Sequence, residues 1–261
     1  CALPIYCVKE IMLDKKFGAS GNHVVVEEFL TGPEVSVLSF CDGKTVKPMV
    51  SSMDHKRALD HDEGLNTGGM GTVAPNPYYT PAVAERCMQE IFLPTVAAMQ
   101  AEGYPFKGCL YFGLMLTPDG PKVIEYNCRF GDPETQVVLP LLESDLLTVM
   151  EATTNGTLDK TDVKFSDGAA ACVILASGGY PLAYEKGKEI TGLTAGQLDA
   201  ADVTVYHAGT AIKDGSLVTN GGRVLGVTAT ANTLPEALKK AYAATESIHF
   251  DKLHKQIGRA S

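Results

Sequence analysis

The chain has 261 residues, with 22 Lys and Arg against 31 Asp and Glu, a formal net charge of −9 and an isoelectric point near 5.2. This acidic balance excludes the basic face that binds nucleic acid. No apolar run approaches the roughly 18 residues of a membrane-spanning helix. The seven cysteines include no CxxC pair, so the sequence indicates neither a disulfide framework nor a zinc ribbon and favours a reducing cytoplasm.

The sequence begins inside a predicted helix. Residue 1 is Cys rather than Met, and residues 9–30 predict the end of a helix, a glycine-containing connection and a strand over 23–30. A domain seldom begins inside such a helix. We therefore expect an N-terminally truncated fragment, in which residues 1–6 are a candidate sequence-read artefact.

Residues 34–50 predict a strand pair. The run over 34–41 is apolar and β-branched, Asp42-Gly43 is a hairpin signal, and residues 45–50 return as another strand. No helix separates these strands, so we expect antiparallel pairing. Residues 51–77 have no periodicity, and a loop of this length is usually functional.

A helix and a hairpin come next. Thr80 is the predicted N-cap and Pro81 the first residue of a helix, with a kink expected at Pro94. Apolar runs over 108–117 and 122–127, joined by Pro-Asp-Gly-Pro, predict a β-hairpin.

The C-terminal part has a different pattern. A helical stretch over 132–155 is followed by a polar segment, 157–168, which predicts a domain boundary. Thr233 and Glu236 form a capping-box pattern ahead of a final helix. The glycine-rich segments in this part, including 220–223, are typical of turns. Short strands are predicted at 169–176, 203–207, 216–219 and 223–231.

The end of the predicted hairpin carries the first candidate site. Glu125 and Asn127 alternate with Tyr126, so both oxygen-bearing side chains lie on one face of the strand. Carboxylate and amide oxygens suit Mg²⁺, and Arg129 nearby would hold charge on a transferred phosphoryl group. The alternatives are a solvated edge pair and a surface salt bridge of Arg129 with Asp132 and Glu134.

A second candidate lies between residues 27 and 34. An apolar run ends in carboxylates, turns at Gly32-Pro33, and presents Glu34 at the start of the next strand. The backbone of such a segment can bind an adenine ring, and Glu34 can accept from ribose hydroxyls. The alternative is an ordinary hairpin with exposed acids.

The long loop is the third candidate. Asp54-His55-Lys56-Arg57 is followed by Asn-Thr-Gly-Gly-Met-Gly over 66–71. These glycines allow backbone amides to approach a ligand, and the basic cluster would attract an anion. The pattern is neither a Walker A loop nor GxGxxG, and a flexible surface loop is the alternative.

Together these motifs resemble one family. The segments 54–57, 66–71 and Glu-Tyr-Asn-Cys-Arg-Phe-Gly-Asp-Pro-Glu over 125–134 are similar, in this order, to the phosphoribosylamine–glycine ligases of the ATP-grasp superfamily. His-Ala-Gly-Thr over 207–210 and Asn-Gly-Gly-Arg-Val over 220–224 match the same family. The resemblance covers residues 9 to about 250.

The resemblance implies a fold and a reaction. The fold is α/β (α+β), with an ATP-grasp core of mainly antiparallel sheet followed by a smaller β-rich C-terminal domain. The implied divisions are a lid remnant at 1–23, the catalytic core at 24–160 and the C-terminal domain at 166–261. The reaction joins glycine to 5-phosphoribosylamine in de novo purine synthesis, consuming ATP through a glycyl phosphate and releasing glycinamide ribonucleotide, ADP and phosphate.

The resemblance also implies residue roles. Glu125 and Asn127 would bind Mg²⁺ or Mn²⁺, Arg129 would steady the phosphoryl group, and Asp54 and Lys56 would line the acceptor site. Glu34 would bind the ribose of ATP, and the adenine hinge would consist of Glu27, Glu28, Phe29 and Leu30. The substrate loop would consist of Asn66, Thr67, Gly68, Gly69, Met70 and Gly71.

The sequence departs from the family in several respects. Many ATP-grasp enzymes carry a further metal-binding acid on the preceding strand, but residues 110–115 contain none, and Gly113 stands at that place. The family's N-terminal domain and most of its lid are not represented, and the ending after His254 is shorter than usual. We expect this fragment to be nearly inactive alone, because an incomplete clamp does not exclude water from an acyl phosphate.

Other interpretations stay open from the sequence. One is a different ATP-grasp ligase, such as a biotin-carboxylase-like or carbamoyl-phosphate-forming enzyme. Another is a non-catalytic module that binds ATP and Mg²⁺, and a third is a fragment that does not fold independently. We expect glycine and 5-phosphoribosylamine as partners, no nucleic acid, no membrane, and a cytoplasmic monomer.

Overall fold

The computed structural model describes residues 2–59, 61, 63–193 and 202–255. The chain divides into two compact units, Cys1–Thr31 and Gly32–Ser261. The first unit contains helix α1 (Ala2–Met12) and a 3₁₀ turn (Gly18–Asn22). Within the described ranges, no helix has the length and apolar character needed to span a bilayer.

The strand predicted at 23–30 is wrong. These residues have no regular secondary structure, and Val25, Val26 and Phe29 are 81%, 86% and 91% exposed. β-Branched residues favour an extended backbone, but a strand also needs a partner for its backbone groups. No strand pairs with this segment in the part of the chain that the structure describes.

The second unit contains the sheets and most of the helices. Its strands are β1 (Glu34–Asp42), β2 (Val46–Pro48), β3 (Met53–Asp54), β4 (Arg57–Leu59), β5 (Glu63–Asn66), β6 (Gly71–Ala74), β7 (Lys107–Thr117), β8 (Gly120–Asn127), β9 (Ala169–Ser177), β10 (Val203–His207), β11 (Thr210–Lys213), β12 (Ser216–Thr219), β13 (Arg223–Ala231) and β14 (Leu253–Lys255). Its helices are α2 (Pro81–Cys87), α3 (Leu93–Ala101), α4 (Thr135–Val138), α5 (Leu146–Asn155) and α6 (Leu234–Thr245). Short 3₁₀ turns occupy Leu139–Leu141 and Leu158–Lys160, and a π-helical turn occupies Met88–Phe92.

A four-stranded antiparallel sheet carries the first candidate site. Its strand order is β2-β1-β7-β8, and the two predicted hairpins form its outer pairs. The segment over 51–77 is more ordered than predicted, because it contains the four short strands β3 to β6. The predicted antiparallel character is confirmed.

A second sheet has the order β10-β13-β9-β6-β3, and β14 also pairs with β9. All nine residues of β9 are buried, as expected for a continuous apolar run covered on both faces. The second sheet thus combines β3 and β6, which precede the predicted boundary at 160–166, with strands that follow this boundary. The division of the chain at that boundary stays a prediction.

The helix between Thr80 and residue 101 begins as predicted. The Thr80 hydroxyl accepts a hydrogen bond from the Val83 backbone N–H at 3.3 Å. A π-helical turn, Met88–Phe92, ends two residues before Pro94. The kink expected at Pro94 itself stays a prediction. The capping box predicted at Thr233 is not formed, because that side chain makes no capping hydrogen bond.

Three layers of apolar side chains fill the second unit. One face of the four-stranded sheet packs against α2 and α3, and its other face packs against α4 and α5. Helix α4 also contacts one face of β9, whereas α6 covers the other face. Phe112 on β7 lies in the first layer, with its ring centroid 4.1 Å from that of Phe92 and 5.6 Å from that of Tyr126.

We expect Phe112→Ala to lower the free energy of unfolding by about 3–5 kcal/mol, because it leaves a cavity beneath β8. Urea denaturation followed by circular dichroism measures this change. Leu147→Ala is the matched control, since Leu147 is 65% exposed, and its effect should stay within about 0.5 kcal/mol. Equal effects from the two substitutions would contradict the packing described.

Candidate active site

Strand β8 presents the predicted oxygen pair. The Asn127 side-chain amide donates to the Glu125 carboxylate at 3.3 Å, so the two side chains lie on the same face. Tyr126 points to the other face, where its hydroxyl lies 3.1 Å from that of Thr95. The predicted shared face of Glu125 and Asn127 is therefore confirmed.

Gly113 lies opposite Glu125 in the β7–β8 register. A Cβ atom at position 113 would lie 2.9 Å from Cγ of Glu125, so the stem of Glu125 occupies the space that another side chain would need. No group of three or more His, Cys, Asp or Glu that could hold a metal occurs in the described ranges. Two neighbouring oxygen donors still fit Mg²⁺, which retains waters and takes ligands from substrate phosphates.

The segment after β8 does not form the surface salt bridge considered as an alternative. Arg129 donates to the Phe130 carbonyl at 2.8 Å, and Asp132 pairs with Arg223 at 2.9 Å. Glu134 is only 5% exposed and lies inside the protein. The sequence pattern did not distinguish this buried acid from its exposed neighbours.

Glu134 belongs to a buried hydrogen-bond network. Its carboxylate accepts from the Tyr111 hydroxyl at 3.0 Å and from the Ser36 hydroxyl at 3.5 Å. Burial raises the pKa of Glu134 despite these bonds. Burial and the neighbouring Glu134 carboxylate also raise the pKa of Asp54 well above its usual range, whereas Lys56 and Arg223 oppose that rise.

Lys56 joins this acidic region to the predicted ribose-binding residue. Its ammonium group lies 2.9 Å from the Glu34 carboxylate. Burial disfavours the charged form, but Glu34, Asp54 and Glu125 outweigh burial and raise the pKa of Lys56. Lys56 therefore stays protonated at neutral pH.

A cavity of about 620 Å³ brings four predicted residues together. Glu34, Asp54, Lys56 and Asn66 all line it. The lining also includes Gly32, Pro33, His55 and Arg57, which belong to the second and third candidate segments. The sequence analysis did not select three further lining residues, namely Met53, His61 and Tyr78. Opposite charges on one concave wall suit a small polar substrate better than an apolar one.

The glycine loop, residues 66–71, differs from the expected anion cradle. The backbone N–H groups of Thr67 and Met70 donate to the carbonyls of Lys56 and His55. The N–H groups of Gly68 and Gly69 donate to the hydroxyls of Tyr180 and Thr67. These four amides are therefore used within the protein.

The glycines serve close packing instead. A Cβ atom at Gly69, whose φ is +111°, would lie 2.6 Å from both the Asp54 carboxylate and Cδ of Pro133. A Cβ atom at Gly68 would lie 3.2 Å from Arg223 and from the Tyr180 hydroxyl. The missing side chains thus allow Asp54, Pro133 and Arg223 to converge on the loop.

The predicted adenine hinge lies in the first unit. Glu27, Glu28, Phe29 and Leu30 belong to the irregular segment, and Phe29 is 91% exposed. Glu34 belongs to the second unit and pairs with Lys56, as described above. The nucleotide-binding roles of these residues stay predictions.

The fold first places the chain in a structural class. The biotin carboxylase of Campylobacter jejuni has a TM-score of 0.63 to this chain, with 14% identity over 88% of this chain and 48% of that one. At that identity the similarity shows the fold alone. The fold is that of ATP-grasp proteins.

The family follows from closer similarities. Residues 3–135 match the family model of the phosphoribosylglycinamide synthetase ATP-grasp (A) domain, and residues 170–258 match that of the C domain. The chain therefore belongs to the phosphoribosylglycinamide synthetase family.

Two relatives indicate how much of the family's length is covered. The phosphoribosylamine–glycine ligase of Caldanaerobacter subterraneus subsp. tengcongensis is 47% identical over 95% of this chain and 58% of its own length. The crystal structure of the same ligase from Thermotoga maritima has a TM-score of 0.78 and 39% identity, over 89% of this chain and 56% of that one. The chain thus spans little more than half of either ligase.

We expect Gly69→Ala to destabilise the protein by more than about 2 kcal/mol, because the new methyl group meets Asp54 and Pro133 at an unfavourable φ. Gly103→Ala is the control, since Gly103 also has positive φ, at +82°, but has no atom within 4 Å of the added Cβ. Chemical denaturation measures both. A cost no greater at Gly69 than at Gly103 would contradict the close packing.

We also expect Asp54→Asn to change the pH dependence of stability. A raised native pKa means that ionising Asp54 costs stability, beginning as pH rises through about 4, the unfolded value, and growing until the native pKa is passed. The Tm of the variant relative to wild type should therefore rise from about pH 4 towards neutrality. Thermal unfolding across this range measures the difference.

Asp119→Asn, in the exposed turn between β7 and β8, serves as the surface control for that experiment. If the Tm difference between Asp54→Asn and wild type did not change with pH, Asp54 would not have a raised pKa in its setting beside Glu134, Glu34, Lys56 and Arg223.

Proposed function

We propose that this chain, as part of its whole protein, catalyses the ATP-dependent ligation of glycine to 5-phosphoribosylamine. The products are glycinamide ribonucleotide, ADP and phosphate, and the step belongs to de novo purine synthesis. The observation that carries the proposal is the family membership of both matched segments, 3–135 and 170–258. The charged cavity and the Glu125–Asn127 pair support it.

The proposed metal residues are Glu125 and Asn127. When bound, Mg²⁺ neutralises phosphate charge and favours phosphoryl transfer. Mn²⁺ offers the same chemistry to these oxygen ligands. Arg129 is on the segment immediately after them, where its guanidinium can turn from the Phe130 carbonyl to a transferred phosphoryl group.

The proposed chemistry has two steps. A carboxylate is a poor electrophile, so the glycine carboxylate first attacks the γ-phosphorus of ATP and ADP leaves. The amine of 5-phosphoribosylamine then attacks the acyl carbon, phosphate leaves, and the amine loses a proton. Lys56 supplies positive charge beside the cavity, and Asp54, with its raised pKa, is suited to accept that proton.

The remaining assignments extend this proposal. Within the glycine loop, Asn66 lines the cavity and is the residue proposed to contact the substrate. The backbone N–H groups of residues 67–70 donate within the protein instead. The segment 27–30 binds adenine and Glu34 the ribose. We also propose a cytoplasmic monomer. The described cysteines are all free thiols, which is typical of a reducing compartment.

Product identification tests the function. The chain is joined to the remaining region of a related ligase, supplied with ATP, Mg²⁺, 5-phosphoribosylamine and glycine, and analysed by mass spectrometry for glycinamide ribonucleotide. Bicarbonate in place of glycine tests the carboxylase-like alternative. A product from bicarbonate alone, or nucleotide binding without turnover, would replace the proposed function.

We expect Glu125→Gln to weaken Mg²⁺-dependent ATP binding by at least about tenfold, because an amide replaces the only charged ligand of the proposed pair. Calorimetric titration in that joined protein measures the affinity. Glu102→Gln is the control, since Glu102 is exposed at the end of α3, and should bind as wild type does. Unchanged affinity in Glu125→Gln would remove Glu125 from the metal site.

A further inference from the structure

Arg223 connects three segments of the candidate active site. It is the first residue of β13, and its side chain is 19% exposed. One guanidinium nitrogen, Nη1, donates to the Gly68 carbonyl at 2.7 Å and to the Asp132 carbonyl at 2.8 Å. The other, Nη2, donates to the Asp132 carboxylate at 2.9 Å.

Tyr180 holds the same glycine from its other backbone group. Its hydroxyl accepts from the Gly68 N–H at 2.9 Å. The Tyr180 ring packs directly against Gly222, where an added Cβ atom would overlap the ring. The N–H and the C=O of Gly68 are thus both fixed by side chains that follow β9 in the chain.

Contacts that hold Gly68 in place also restrict the position of Gly69. The Asp54 carboxylate and the Pro133 ring lie where a Cβ atom of Gly69 would be. Movement of the glycine loop would therefore change the position of Asp54, which lines the cavity. Arg223 also holds Asp132, which lies in the segment between Arg129 and Glu134.

We propose that Arg223 and Tyr180 are positioning residues, which hold the glycine loop and Asp54 in the geometry that the amino-acid and amine substrates require. This inference rests on the proposed function for its catalytic part. Lys cannot replace Arg here, because an ammonium group lacks the planar fork that reaches two carbonyls and a carboxylate together. Tyr180→Phe removes only the acceptor of the Gly68 N–H and retains the aromatic ring.

The structural part is tested on the chain itself by hydrogen–deuterium exchange. Arg223→Lys and Tyr180→Phe should each accelerate exchange in the glycine loop by about tenfold, while β9 stays protected. Arg86→Lys is the control, because Arg86 pairs with Glu90 on a helix surface. Unchanged exchange in the loop, or loss of protection throughout the chain, would overturn the proposal.

The catalytic part is tested in the joined protein that carries the proposed activity. We expect Arg223→Lys to lower kcat/KM for glycine by about tenfold or more, while the KM for ATP changes less than about twofold. Tyr180→Phe should act in the same direction, and Arg86→Lys should have no effect. Equal losses for glycine and ATP would indicate general destabilisation and would overturn positioning.

The two proposals fail in different ways. If the parent joined protein makes no glycinamide ribonucleotide, the proposed function fails, and the catalytic role of Arg223 fails with it. If the parent is active and Arg223→Lys has wild-type kinetics, only the positioning proposal is overturned.

Discussion

The burial of β9 is the constraint on which the geometry of the candidate site depends. Because all nine residues of this strand are buried, both of its faces must be covered and both of its edges paired. One edge pairs with β6 and the other with β13. Gly71, which ends the glycine loop, lies on β6, and Arg223 lies on β13, so both residues are on strands that pair with β9. A contact between residues 155 positions apart, Arg223 and Gly68, follows from this arrangement.

The sheet around β9 supports two buried carboxyl groups whose ionisation costs free energy of folding. Burial raises the pKa of both the Asp54 and the Glu134 carboxyl groups, and the Glu134 carboxylate raises the pKa of Asp54 further. Lys56, Arg223 and hydrogen bonds from hydroxyl groups offset part of that cost. Acids with raised pKa beside a polar cavity are typical of functional sites, where the same groups move protons. The free energy lost through their burial is supplied by the apolar layers around β9 and α6.

Sequence patterns predicted the elements that depend on interactions between residues close together in the chain. The hairpin that presents Glu125 and Asn127 followed from alternation and its turn, and Thr80 followed from helix capping. The strand predicted at 23–30 was wrong because residue type does not supply a pairing partner. The capping box predicted at Thr233 was also wrong, since the pattern does not guarantee the hydrogen bond. Arg223 and Tyr180 were not predicted as site residues, because only tertiary pairing brings them to Gly68.

The glycine loop illustrates why a motif does not reveal how its residues act. Its composition suggested backbone amides available to an anion, yet the N–H groups of residues 67–70 all donate within the protein. What the missing side chains provide is proximity, since Asp54, Pro133 and Arg223 occupy the space beside Gly68 and Gly69. The loop therefore contributes to the site as a packing surface that positions charged side chains. At this wall of the cavity the lining includes the polar residues Asp54, Lys56 and Asn66.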